Sequence, residues 1–158
     1  MDDLGFSTTT LKYGWIDPVK HLDIPICVFD TNIFDLIKAH FIKMDILLTP
    51  EEKLDEFNTA VQMINSLYTF TMNKDRAEAG DMLPFIIYGI IKARPMRIRW
   101  SCRFIKFFMD ESEKFGNNGY NLTQIESSID FIRKIDENTV HLSSSEFYDL
   151  CAKYSSSD

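Results

Sequence analysis

Few residues of this 158-residue chain have the types and spacing that chemistry requires. His21, His40 and His141 stand far apart, so none has the neighbour that a metal site or a nucleophile–base couple needs. Each reads as a surface or core-edge histidine, and neither a metal nor a cofactor is expected. Cys27, Cys102 and Cys151 are distant and odd in number, which implies no disulfide framework and suits a reducing compartment. The sequence has no Gly-rich phosphate loop, no G-x-S-x-G elbow, no H-E-x-x-H and no C-x-x-C. The paired acids Glu51 and Glu52 directly follow Thr49-Pro50 and belong to a helix start before they belong to catalysis. Arg97, Arg99, Arg103 and Lys106 interleave with aromatic residues. On an acidic chain this reads as a solvated helix face, with a partner or acidic-lipid contact as the lesser alternative. Taken alone, Tyr120 is an amphipathic ring at a core edge and Thr123 a hydroxyl at a helix start. The residues therefore describe a domain without bond-making chemistry, which leaves binding, or conformational catalysis on another protein.

The elements that must position these residues read as helices throughout. Residues 1–10 are polar, end in three threonines and predict a flexible lead-in. Residues 11–154 form one domain, and 155–158 a disordered tail. The prolines and glycine of Gly14-Trp15-Ile16-Asp17-Pro18 and Leu22-Asp23-Ile24-Pro25 allow only a short helix and an anchored turn, with Trp15 and Leu22 in the core. Asp30 or Thr31 caps a helix running to about Met44, with Ile33, Ile37 and Phe41 on one face and Phe34 beside them. Thr49-Pro50-Glu51-Glu52 is a capping box with proline at the first helical position. It opens a long helix whose inner face is Leu54, Phe57, Val61, Ile64 and Tyr68, fading by Asn73.

Residues 82–91 are apolar on every side. Phe85-Ile86-Ile87-Tyr88 would suit a strand, but no partner strand is evident, so a central buried helix is predicted. Arg97 to Met109 predicts another helix, with Trp100, Phe104, Phe107 and Phe108 packing inward or sideways. Residues 114–119 read as a loop, Leu122 to Ile135 as a helix, and Ser143 to Glu146 as the capping box of a last short helix. The fold class is all-α.

The bulk figures exclude several functions. A net charge of −7 lacks the basic footprint of a nucleic-acid binder. The longest apolar run, Met82 to Ile91, is too short for a hydrocarbon core of about 30 Å, so no transmembrane segment is expected. Acids at Asp2 and Asp3 stand where a signal peptide needs bases, which fits a cytoplasmic protein.

Several blocks, in order, resemble one family. They are Trp15 to Pro18 with His21-Leu22-Asp23-Ile24, Thr49 to Leu54, Asp81-Met82-Leu83-Pro84 with Ile87-Tyr88 and Ile91 to Pro95, Phe104-Ile105 with Phe108, Gly119-Tyr120-Asn121-Leu122-Thr123 with Ile129 to Ile132, and Leu142-Ser143 with Phe147. Over roughly residues 11–150 they are similar to the vacuolar-protein-sorting-nine domain family. The resemblance implies a layered all-α domain that acts as a guanine nucleotide exchange factor on a Rab-five-type small GTPase in endocytosis and vesicular trafficking. It also implies a cytoplasmic location with peripheral association with endosomal membrane.

In the mechanism the resemblance implies, an inserted carboxylate competes for the GTPase's phosphate-loop lysine and disfavours Mg²⁺. Hydroxyls meanwhile bond the partner's switch backbone. The resemblance puts Asp81, Tyr120 and Thr123 in the catalytic set and Pro84, Tyr88 and Gly80 in the GTPase-binding set. It also implies that Asp81, Pro84, Tyr120 and Thr123 lie together on one exposed face at the junction of two helix starts. The chain departs from the family at Gly80, which occupies the position of the principal acid; Asp81 matches the second, supporting acid. Arg94 and Met96 replace an asparagine and a proline. Exchange weakened by Gly80 is the expectation, and a degenerate domain that binds a GTPase or serves as an interaction module is the alternative.

Overall fold

A computed structural model of the chain describes residues 2–156. Among them are nine helices and no strand: α1 (Asp3–Lys12), α2 (Pro18–His21), α3 (Thr31–Ile46), α4 (Pro50–Met72), α5 (Ala79–Ala93), α6 (Ile98–Phe108), α7 (Glu111–Lys114), α8 (Asn117–Arg133) and α9 (Ser144–Ser155). The all-α expectation holds.

The longest helices start and stop where their local chemistry directs. The Asp30 carboxylate accepts the Ile33 N–H and opens α3. Thr49 and Glu52 exchange bonds at the start of α4, which ends at left-handed Asn73. Ser143 and Glu146 do the same for α9. All five residues of the α4 inner face are buried.

Helices α3 and α4 form an antiparallel hairpin, held by Phe41 against Phe57 and by Glu56 accepting from His40 and Lys43. Lys53 is buried at its closed end, where Nζ donates to the Met44 carbonyl at 2.7 Å and so satisfies an orphan acceptor of α3. Helix α5 is the central one: Met82, Phe85, Ile86, Ile87, Ile90 and Ile91 are all buried. It packs on α3, α4 and α8 and also touches α1 and α2. Its strand-like residues become helical because the surrounding helices bury them on every side and offer no sheet edge.

Three expectations are corrected. Residues 3–10 are not a loose lead-in but belong to α1, with Phe6, Ser7 and Thr10 buried. Threonine runs favour helix weakly, but the Asp2 carboxylate caps Gly5 N–H and burial of Phe6 outweighs the propensity. Of the supposed tail, Ser155 closes α9 and Ser156 caps it, while 157–158 lie outside the described residues.

The second correction concerns α6. Its buried stripe is Ile98, Ser101, Cys102 and Ile105, and Trp100, Phe107 and Phe108 are exposed. The third is the segment 110–121. A short α7 precedes α8, which begins at Asn117 rather than Leu122. Gly119 is there for space rather than for a turn: a Cβ would lie 2.0 Å from the Lys114 carbonyl oxygen.

Candidate functional site

Gly80 is the second residue of α5. It is exposed, and a Cβ built on it meets nothing within 4 Å. Pro84 lies four residues on and has no N–H, so the Gly80 carbonyl has no helical donor. Gly80, Leu83, Pro84 and Ile87 line one side of an open cavity. Phe131 of α8, His21 at the end of α2 with Leu22 and Asp23 after it, and Asn138, Thr139 and His141 complete it.

Asp81 does not share this freedom. Its Oδ1 accepts the Tyr68 hydroxyl at 2.7 Å, and its Oδ2 accepts the Glu78 N–H at 3.0 Å. Tyr68 in turn accepts from Lys74 Nζ at 3.2 Å. The Glu78 amide, then the Tyr68 hydroxyl, hold the Asp81 carboxyl below its usual range. Asp81 is therefore the acid that closes the α5 N-terminus against the end of α4, and the rotation of about 100° between neighbours turns it from Gly80's direction.

Tyr88 is absent from the cavity lining. Its ring packs edge-on against Phe34 and Phe29 at 5.2 and 5.9 Å, and burial, with Asp17 and Asp35 adding, pushes its hydroxyl up. Tyr120 is 52% exposed in the first turn of α8. Thr123 is also exposed, and its hydroxyl donates to the Gly119 carbonyl at 2.9 Å.

The two helix starts do not meet. Helix α8 begins beside Asn58, whose side-chain amide bonds Asn118 and Asn121. The start of α5 is tied to Tyr68, ten residues further along α4, about 15 Å of helix. The α8 residue that shares the cavity with Gly80 and Pro84 is Phe131, eleven residues past Tyr120 and about 16 Å along its axis. Helices α5 and α8 thus run antiparallel, and the expected cluster becomes a strip. Tyr120, Thr123, Ser127 and Phe131 fall at i, i+3, i+7 and i+11, on one face of α8. That face carries Tyr120 and Thr123 at one end and reaches the Gly80–Pro84 cavity at the other. Relative helix direction is not encoded in local sequence, and the resemblance that implies a cluster carries no distance between the two helix starts.

Asp23 and His141, which sequence reads as a turn residue and an isolated histidine, meet here. Both border the cavity, both have left-handed backbones (φ 56° and 59°), and Asp23 Oδ2 lies 3.2 Å from His141 Nε2. Their separation of 118 residues left no local signal. His21 beside them accepts the Asp17 N–H on Nδ1, and burial pushes its imidazole below the usual value. Among the described residues, no three of His, Cys, Asp or Glu converge as metal ligands, and no helix is long and apolar enough to cross a membrane.

Comparison with known proteins agrees with this architecture. The chain is 28% identical over 149 residues to the Rab5 GDP/GTP exchange factor of Homo sapiens, covering 92% of this chain and 30% of that protein. It is 28% identical over 149 residues to vacuolar protein sorting-associated protein 9A of Arabidopsis thaliana, covering 92% and 28%. It is 26% identical over 98 residues to receptor-mediated endocytosis protein 6 of Caenorhabditis elegans, covering 62% and 9%. The chain thus spans less than a third of the length of these relatives. Residues 34–137 match the profile of the Vacuolar sorting protein 9 (VPS9) domain, a span that runs from the first turn of α3 through α8 and contains every α5 and α8 residue of the strip, and the chain belongs to that family.

Proposed function

We propose that the α5–α8 strip binds a Rab5-type small GTPase and that the chain releases its nucleotide slowly. Membrane trafficking at endosomes is the setting this reading gives it. The observation that carries it is the state of the two residues at the α5 start. Asp81 is engaged by Tyr68 and the Glu78 N–H, while Gly80 has room for a side chain and no carboxylate to fill it. Tyr120 and Thr123 supply hydroxyls to the partner's switch backbone, and Pro84 and Phe131 present apolar surface to its switch aromatics. Asp23, paired with His141, is the negative charge that remains at the cavity.

Binding and exchange separate under this reading. The nucleotide-free GTPase should bind the natural chain in calorimetry, and Tyr120→Ala with Pro84→Ala should weaken that binding without altering the far-ultraviolet dichroism. Equal affinity for the natural chain and the double variant would remove the strip from the interface.

A further inference from the structure

Helix α6 carries two outward stripes, one basic and one aromatic, in which Arg99 and Phe104 are half-buried. Arg99, Arg103 and Lys106 fall at i, i+4 and i+7. Trp100, Phe104 and Phe107 form the adjoining stripe, about 100° further round, with Phe108 beyond them. The rings are in continuous contact: Trp100 stacks on Phe104 at 4.7 Å, and Phe108 meets Phe104 at 5.2 Å and Phe107 at 5.0 Å edge-on. Phe107 is 81% exposed and Phe108 58%. The exposed side chains Leu4, Ile46, Leu48 and Met96 border Trp100 across two shallow cavities and extend the apolar surface.

Acids and bases both border this surface, and the acids are each engaged within the chain. Asp3 and Asp45 accept backbone N–H groups of Arg99, Trp100 and Arg97. Glu126 holds Lys106, Glu111 holds Lys114, and Glu113 accepts the Asp110 N–H. Among the described residues, Arg97 and Arg103 make no ion pair, and Arg99 Nη1 is buried without a hydrogen-bond partner. A chain of net charge −7 thus keeps two arginines without an ion pair, Arg97 and Arg103, beside a run of exposed aromatics.

We propose that the outward face of α6 docks on an anionic lipid bilayer, with the aromatics at the interface and Arg97 and Arg103 over the headgroups. Aromatic rings suit the headgroup–acyl boundary, and basic residues on the same helix face add attraction to anionic lipid. A purely apolar partner would leave the arginines without counter-charge; a purely acidic one would leave the rings in water. The face is distinct from the GTPase strip. Of the α8 residues bordering the α6 cavity, Glu126, Ile129 and Arg133 lie roughly a third of a turn or more from the Tyr120–Phe131 stripe, and Asp130 stands between the two faces. Docking through α6 therefore does not depend on the GTPase reading.

The test is sedimentation of the full chain with phosphatidylcholine vesicles, with and without phosphatidylserine at about one lipid in three. Binding is expected only to the anionic vesicles and should fall between about 0.1 M and about 0.5 M salt. Each basic residue near an anionic surface contributes about fivefold, so R97Q with R103Q should lower partitioning about twenty-five-fold. Phe107→Ser should lower it separately, and both variants are exposed changes whose melting can be compared with the natural chain. No excess binding to anionic vesicles overturns the proposal, as does binding that neither variant changes. A dimer in sedimentation velocity that Phe107→Ser dissolves would assign the face to a second copy and also overturn it.

Discussion

Asp81→Ala separates a structural acid from a catalytic one. The substitution removes both acceptors: the one that takes the Glu78 N–H at the α5 start and the one that takes the Tyr68 hydroxyl. A cap-type bond contributes about 1 kcal/mol. The bond from Tyr68 to a charged acceptor contributes about 1–2 kcal/mol at a part-buried site. Loss of about 2–3 kcal/mol follows, or a melting temperature lower by about 5–10 °C for a domain of this size. Tyr68→Phe should cost about 1 kcal/mol, because Asp81 keeps its amide bond. The double variant should cost less than the sum, with a coupling of about 1 kcal/mol between residues in direct contact. Urea unfolding followed by circular dichroism at 222 nm measures all four chains. An Asp81→Ala chain within about 0.5 kcal/mol of the natural one would refute the reasoning. Its carboxylate would then be free to enter a partner, and the weakness assigned to Gly80 would lose its basis.

Three further outcomes follow from the same structure. Gly119→Ala gains helix propensity but drives a methyl into the Lys114 backbone, so a net loss of about 1–3 kcal/mol is expected in urea unfolding; a more stable variant would show that the α7–α8 contact is looser than described. Ile87→Asp puts a charge into the middle of α5, where the natural residue is buried, at a cost of several kcal/mol, about the whole stability of the domain; cooperative unfolding at the natural midpoint would misplace the core. Stability should also fall with acid. Bonds from His40 and Lys43 hold Glu56 low, and bonds from Glu78 and Tyr68 hold Asp81 low. Their folded pKa values lie below the unfolded ones, so their contribution is complete above about pH 4.5 and drains as pH falls through the folded values. Asp45, raised by burial, works the other way. Urea midpoints equal at pH 7 and pH 3 would contradict the sign.

What the sequence made legible was local chemistry. The capping boxes at Thr49 and Ser143, the Asp30 cap and the inner stripe of α4 each depend on residues within one or two turns. Helix α6 shows the limit. Ile98, Cys102 and Ile105 recur at i, i+4 and i+7, and so do Trp100, Phe104 and Phe107. Periodicity cannot rank two stripes of one period; the larger rings were favoured, yet Ser101 and Cys102 fit the close approach of α6 to α4 and α8. Phe6 anchors α1 only through tertiary contacts, and Gly119 resembles a loop residue until the Lys114 backbone is seen beside it. At the site, the residue types on α5 and α8 were legible, but their separation along an antiparallel pair was not, nor was the Asp23–His141 pair across the cavity.

The central claim is that this VPS9 domain binds its GTPase but lacks the carboxylate that speeds release. The direct measurement is release of a fluorescent guanine nucleotide from a Rab5-type GTPase, with the natural chain, Gly80→Asp, Asp81→Ala and no added protein. The account predicts slow release with the natural chain and acceleration of about tenfold or more with Gly80→Asp, equivalent to about 1.4 kcal/mol or more of barrier. Fast release by the natural chain that Asp81→Ala abolishes, with Gly80→Asp making no difference, would contradict it.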